Sequence, residues 1–130
     1  MTDGMALAQE LLNCFSTMDD RGLERILHPD ARHSAPGSDF GTDLVGRSKI
    51  TEYFRTCVFP SFNQVRFEPV YTWEDPTKSG VVVEWRSHLY QKTGKNYSKS
   101  GVFVIEVKDQ LIYWVREYFD TEKAHKNVND

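Results

Sequence analysis

The 130-residue sequence predicts an α+β domain in which a cone-shaped, curved antiparallel sheet wraps around three N-terminal helices. Helical spacing of apolar residues is confined to the first half, and from Val65 onward the chain reads as strands joined by short turns. The last of these strands, Leu111 to Asp120, is largely apolar on both alternating faces, so it needs cover on both sides. Period two puts Tyr113, Val115, Glu117 and Phe119 on one face and Ile112, Trp114, Arg116, Tyr118 and Asp120 on the other. Glu117 is the only charge in its row. A carboxylate between Val115 and Phe119 must be paired, protonated or at the edge of a cavity, because burying it alone and ionised is costly.

The first element is an amphipathic helix over Thr2 to Met18, with Leu7, Ala8, Leu11, Leu12, Phe15 and Met18 at helical spacing. Asp19 reads as the N-cap of a short second helix holding Leu23, Ile26 and Leu27, ended by His28-Pro29. Asp30 to Ala35 reads as a short strand. The turn-rich loop Pro36-Gly37-Ser38-Asp39 with Gly41-Thr42-Asp43 follows as a candidate pocket rim. Gly46-Arg47-Ser48 opens the third helix, with Ile50, Tyr53, Phe54, Cys57 and Val58 on its buried side, and Pro60 closes it. Strands are expected over Val65 to Glu74, Val81 to Lys92, Tyr97 to Val107 and Leu111 to Asp120. Pro69 cannot donate to a ladder and marks an edge or a bulge. The chain is expected to be one domain, 1–130, with a polar tail from about 122.

Hydrophobic residues make up 39% and aromatics 13%, a globular balance, and no apolar run reaches bilayer length. A soluble, cytoplasmic protein is expected, since Asp3 stands where a secretory signal carries positive charge. Cys14 and Cys57 lie in different helices without metal or redox spacing, and both are expected to be buried thiols. The formal charge of -3, with no basic cluster, argues against nucleic acid as partner.

The order of elements, the Gly46-Arg47-Ser48-x-Ile50-x-x-Tyr53-Phe54 helix and the closing Val115-Arg116-Glu117-Tyr118-Phe119-Asp120 resemble the SnoaL-like branch of the nuclear transport factor 2 superfamily over nearly the whole chain. The resemblance implies one pocket between helices and sheet, as in polyketide cyclases, ketosteroid isomerase and limonene epoxide hydrolase. The hydrolase's last strand carries W-R-D-Y-F-D, whose first Asp acts on the nucleophilic water, which assigns Glu117 the acid/base position. Its earlier R-x-D pair falls on Arg86 and His88, and its water-holding Tyr and Asn fall near Arg32 and Ser34, so the Asp, Tyr and Asn are not kept. Ketosteroid isomerase supplies a Tyr from the first helix, where this chain has Cys14 and Phe15.

By plain alternation Glu84, Arg86 and His88 share one face of their strand while Val83, Trp85 and Leu89 share the other. The resemblance turns the Arg86 and His88 row into the cone, leaving Trp85, Leu89, Trp114 and Tyr118 for a back face apolar enough to suggest a homodimer. On that register Glu117, His88 and Arg86 are the catalytic candidates. Arg32, Ser34, Glu84, Phe15, Tyr53, Phe54 and Trp73 are the substrate-binding candidates, with Tyr71 and Phe103 weighed beside them as lining or plain core. His33, adjacent to Arg32 and so on the other face, is read as a surface residue, like His28 and His125. The structural alternative for Glu117 is an ion pair with Arg86. No metal site is expected, because Arg86 would oppose a cation between His88, Glu84 and Glu117. The expected function is cofactor-independent acid/base chemistry on a small hydrophobic metabolite, of isomerase, cyclase, hydratase or epoxide hydrolase type and of the secondary-metabolic kind the resemblance implies. Alternatives are a non-catalytic binding module for a small ligand or protein, and a structural dimer whose cone is filled by Phe15, Tyr53, Phe54 and Trp73.

Overall fold

The computed structural model describes residues 3–36, 43–77 and 79–120. Of the loop expected over Pro36 to Asp43 as a pocket rim, residues 37–42 lie outside them, as does the tail from residue 121. Helix α1 (Gly4–Thr17) starts at Asp3, whose carboxylate accepts from the Ala6 amide at 2.8 Å. Met18, in the left-handed region at φ 52°, ends it, and Asp19 then caps α2 (Asp20–Ile26) through the Gly22 amide at 2.9 Å. Strand β1 (Leu27–Ser34) starts earlier than expected, running through His28 and Pro29. Its pairing with the last strand shifts register between Leu27 and Arg32, so Pro29 withholds no ladder hydrogen bond there.

Strand β2 (Asp43–Val45) lies in what reads as loop and pairs antiparallel with Arg32 to Ser34. Helix α3 (Arg47–Tyr53) continues into a π turn over Phe54–Val58, where the Phe59 amide donates to the Phe54 carbonyl. That wider turn rotates Cys57 out to solvent, so only Cys14 is a buried thiol. Strands β3 (Phe62–Glu74), β4 (Gly80–Gln91), β5 (Asn96–Lys108) and β6 (Leu111–Phe119) complete one six-stranded sheet in the order β2-β1-β6-β5-β4-β3. The sheet is curved and unclosed, and the β1–β6 pair is parallel while the others are antiparallel. β3 is an edge strand whose register shifts between Pro69 and Tyr71, so Pro69 marks both an edge and a bulge.

The helices bury Leu7, Leu11, Leu12, Phe15, Leu23, Ile50 and Phe54 against a sheet face carrying Val81, Val83, Trp85, Phe103, Ile105, Ile112 and Val115. Strict alternation puts Ile112 on the face of Trp114, and a bulge overrides it. Val107 pairs with Ile112 and Glu106 with Trp114, so Tyr113 is the extra residue and Ile112 turns inward. Trp85, wholly buried, packs on Phe67 and Phe103 at ring-centroid distances of 4.9 and 5.1 Å. It lies across Gly101, where an added Cβ would stand 2.5 Å from Trp85 Cζ2 and collide with the Tyr118 carbonyl. Gly101→Ala should therefore cost about 1–3 kcal/mol in urea unfolding, as overpacking of a filled interior does; unchanged stability would mean the ring does not rest on this backbone.

Candidate functional site

Once Trp85 faces the helices, alternation and interstrand register fix every other inward position. Val81, Val83, Trp85, Ser87 and Leu89 are the buried row of β4. Glu84 and Arg86 are exposed on the opposite face and His88 is partly so, which corrects the expectation that Arg86 and His88 enter the cone. The physical reason is that burying a tryptophan with three valine- and leucine-type neighbours is favourable, whereas burying a guanidinium and a carboxylate in their place is not. On the outer face Arg86 stands opposite Glu68 and Ser100, and Glu84 opposite Tyr71 and Val102. His88 Nδ1 lies 3.1 Å from Ser98 Oγ, and its Nε2 lies 3.6 Å from Glu68. Trp73 is half exposed on that same side and stacks on Tyr71 at 4.3 Å, so neither lines the cone.

Strand β1 departs from expectation in the same way. Ala31, His33 and Ala35 are buried, whereas Arg32 and Ser34 turn to the other face. There Asp43 accepts from Arg32 Nε and Nη2, both at 2.8 Å, and from Ser34 Oγ at 3.3 Å. Trp114 Nε1 donates to Ser34 Oγ at 3.0 Å, and the Arg32 and Arg116 guanidinium groups each stand 4.6 Å from the Trp114 ring centre. Hydrogen bonding to Asp43 raises the Arg32 pKa and that to Arg32 lowers the Asp43 pKa, keeping this surface pair charged.

Glu117 does face the helices, opposite Phe103 on β5. Its nearest charged or titratable partner is His33, with Nε2 3.8 Å from Oε2, at side-chain exposures of 6% for His33 and 15% for Glu117. Neither His33 nitrogen has a hydrogen-bond partner among the described residues. Arg86, the partner weighed for Glu117, is on the far side of the sheet. Burial pushes the His33 pKa down, and the Glu117 charge opposes that only in part. The imidazole is thus neutral at pH 7, and the 3.8 Å contact is a dipole beside a carboxylate rather than an ion pair.

Phe54 from the third helix stands edge-on to His33 at 5.4 Å and stacks on Phe15 of α1 at 5.1 Å, while Tyr53 packs beside Phe54 at 5.7 Å. Phe15 also touches Phe67 and Phe103 at 5.5 and 5.7 Å. The interior therefore joins one carboxylate and one neutral imidazole to an aromatic cluster, an arrangement suited to moving a proton next to an apolar ligand. His33 was missed because Arg32 and Ser34 matched the motif register. The signal for it was the small-residue spacing Ala31-x-His33-x-Ala35, which a strand can press against helices. Among the described residues no cluster of His, Cys, Asp and Glu could hold a metal ion, and no helix is long and apolar enough to cross a membrane.

The SnoaL-like domain profile matches residues 8–121. The chain superposes on a candidate polyketide cyclase from Xanthomonas campestris pv. campestris with a TM-score of 0.84 at 17% identity, covering 96% of each chain. It superposes on an LEH-like epoxide hydrolase of M. tuberculosis with a TM-score of 0.78 at 20% identity, covering 97% of this chain and 89% of the other. For the Δ5-3-ketosteroid isomerase of Mycobacterium sp. the values are 0.79, 19%, 95% and 97%. Likeness at these identities establishes the fold and leaves the reaction to the site. Among curated proteins none matches this sequence.

The depressed His33 pKa makes stability depend on pH. The unfolded chain takes up the proton near 6.5, before the folded chain does, so this contribution is complete above that pH and is lost as pH falls toward the folded value. In urea unfolding the wild type should lose up to about 1.4 kcal/mol per pH unit below that point relative to His33→Gln. Parallel curves for the two proteins would show that His33 is not held neutral.

Proposed function

We propose that this chain, which belongs to the SnoaL-like domain family, is a cofactor-independent acid/base enzyme acting on a small hydrophobic molecule between the helices and the sheet. The observation that carries this is the inward Glu117 beside a buried, neutral and unpartnered His33. Glu117 accepts a proton from a carbon next to a carbonyl, and the electron pair of the C–H bond moves into the carbonyl to give an enolate. The His33 N–H donates a hydrogen bond to the developing oxyanion, and protonated Glu117 returns its proton to the same or a neighbouring carbon. Isomerases and cyclases share this half-reaction, which favours it over epoxide opening, where the Tyr, Asn and Asp of the resembling hydrolase are missing here. Phe15, Tyr53 and Phe54 supply apolar walls, and no step calls on a cofactor.

A homodimer through the outer sheet face is part of the same reading. Turning Trp85 and Leu89 inward removes two of the residues expected on that face. Val82, Val102, Val104, Trp114 and Tyr118 remain there, the last 43% exposed, bordered by Glu84, Arg86, Glu106 and Arg116. Apolar side chains along the middle of a sheet face with charges around them suit a self-complementary interface.

Proton abstraction can be read without the natural substrate, using 2-tetralone, a bicyclic ketone with acidic α-protons. Wild-type protein should speed deuterium uptake at its α-carbon in D2O, and Glu117→Gln should lower that rate by roughly 10² to 10⁴ with an unchanged melting temperature. Binding of 2-tetralone without faster exchange would make the chain a binding module instead. For the dimer, light scattering should give twice the monomer mass at micromolar concentration, and Val102→Lys should halve it by placing a charge at the centre of the face. A monomeric wild type would remove the interface from the proposal.

A further inference from the structure

Two hydrogen-bond donors without an acceptor stand on the inner wall, away from His33. Lys99 occupies an inward position on β5, opposite Ser87, which is wholly buried and whose hydroxyl donates to the Lys99 carbonyl at 3.3 Å. A lysine there normally reaches solvent or a carboxylate. Lys99 is partly exposed, and its ammonium lies 4.2 Å from the centre of the Phe119 ring and 5.9 Å from that of Trp85 while making no ion pair among the described residues. Near it, the buried Trp85 Nε1–H has no acceptor among the described residues. That nitrogen is two bonds from Cζ2, the atom resting on Gly101, and Gly101 is two residues along the same inward row from Lys99. An orphaned buried N–H is costly, and here a cation shares its surroundings.

We infer that the ligand of this cone is a hydrophobic, usually aromatic, acid whose anionic oxygen sits between the Lys99 ammonium and the Trp85 indole N–H. The ligand is a carboxylate or an acidic enol or phenol. The Lys99 side chain has several staggered rotamers, which let its ammonium follow the oxygen of a ligand beside the indole. Phe119, beside the ammonium, is two residues from Glu117 on the same face of β6, so the residues that meet the acidic end and the reacting end are about 7 Å apart along the strand. A neutral molecule of the same shape, such as an amide, can still accept from the indole N–H through its carbonyl but gives the ammonium no counter-charge, so the charge-assisted hydrogen bond is lost. This assignment rests on the proposed use of the cone as a ligand site and adds the charge class of the ligand.

The probes are 2-naphthoate and its neutral isostere 2-naphthamide, followed by calorimetry and by the indole N–H signals of 15N-labelled protein. The chain has three tryptophans, and Trp73→Phe and Trp114→Phe assign the Trp85 signal by elimination. Naphthoate should bind roughly tenfold or more tighter than naphthamide and move the Trp85 indole proton downfield. Lys99→Met should bring the two affinities within about twofold while leaving that for naphthamide in place. Equal wild-type affinities, a preference that survives in Lys99→Met, or a Trp85 signal that stays still at saturation would each overturn the assignment, even if Glu117-dependent exchange of 2-tetralone stands. Failure of both naphthalenes to bind would overturn it together with the ligand-site reading.

Discussion

The burial of Trp85 against Gly101 is the contact on which the facing of the side chains around the candidate site depends. Gly101 pairs with Trp85 on one side and Phe119 on the other, so one rung of the ladder ties the facing of β4, β5 and β6 together. Between bulges, a strand cannot turn one residue without turning its whole row. Fixing Trp85 inward therefore fixes Lys99, Phe103 and Glu117 inward and sends Arg86, His88 and Glu84 outward in the same step. Gly101 has to be glycine because the indole lies where a side chain would begin.

The same rung explains what could be read from the sequence. Glu117 was legible because two independent signals agreed: its place between Val115 and Phe119, and the carboxylate of the family motif. For Arg86 and His88 those signals conflicted. Alternation alone put Trp85 and Leu89 on the buried side, and the structure follows alternation, since the area of a buried indole outweighs a register carried over at low similarity. Arg32 and Ser34 failed for the same reason, and they concealed His33. The three-residue strand β2 and the bulge at Tyr113 left no sequence signature, because each exists only through pairing with a distant segment. The helices, caps and hairpin order were legible because local spacing and turn residues determine them.

Inside the cone the favourable and unfavourable terms are distributed unevenly. The aromatic cluster of Phe15, Phe54, Phe67, Phe103 and Trp85 is the kind of interior that holds a fold together. His33 and the Trp85 N–H do the opposite, since each leaves a buried polar atom unpaired, at about 1–3 kcal/mol apiece.

The unpaired groups also have a direction. Near His33 the free capacity includes a carboxylate, which repels an anion and accepts a proton. Toward Phe119 it is an ammonium and an indole N–H, which attract an anion and cannot accept a proton. A molecule placed between them is oriented by charge before any side chain moves, with its acidic end toward Lys99 and its carbon skeleton toward Glu117. Among the described residues Glu117 and Lys99 form no ion pair, so the carboxylate is not consumed by the cation on its own wall. Orientation and basicity thus follow from a single arrangement, in which strand alternation sets the two charges on the same face without their neutralising each other.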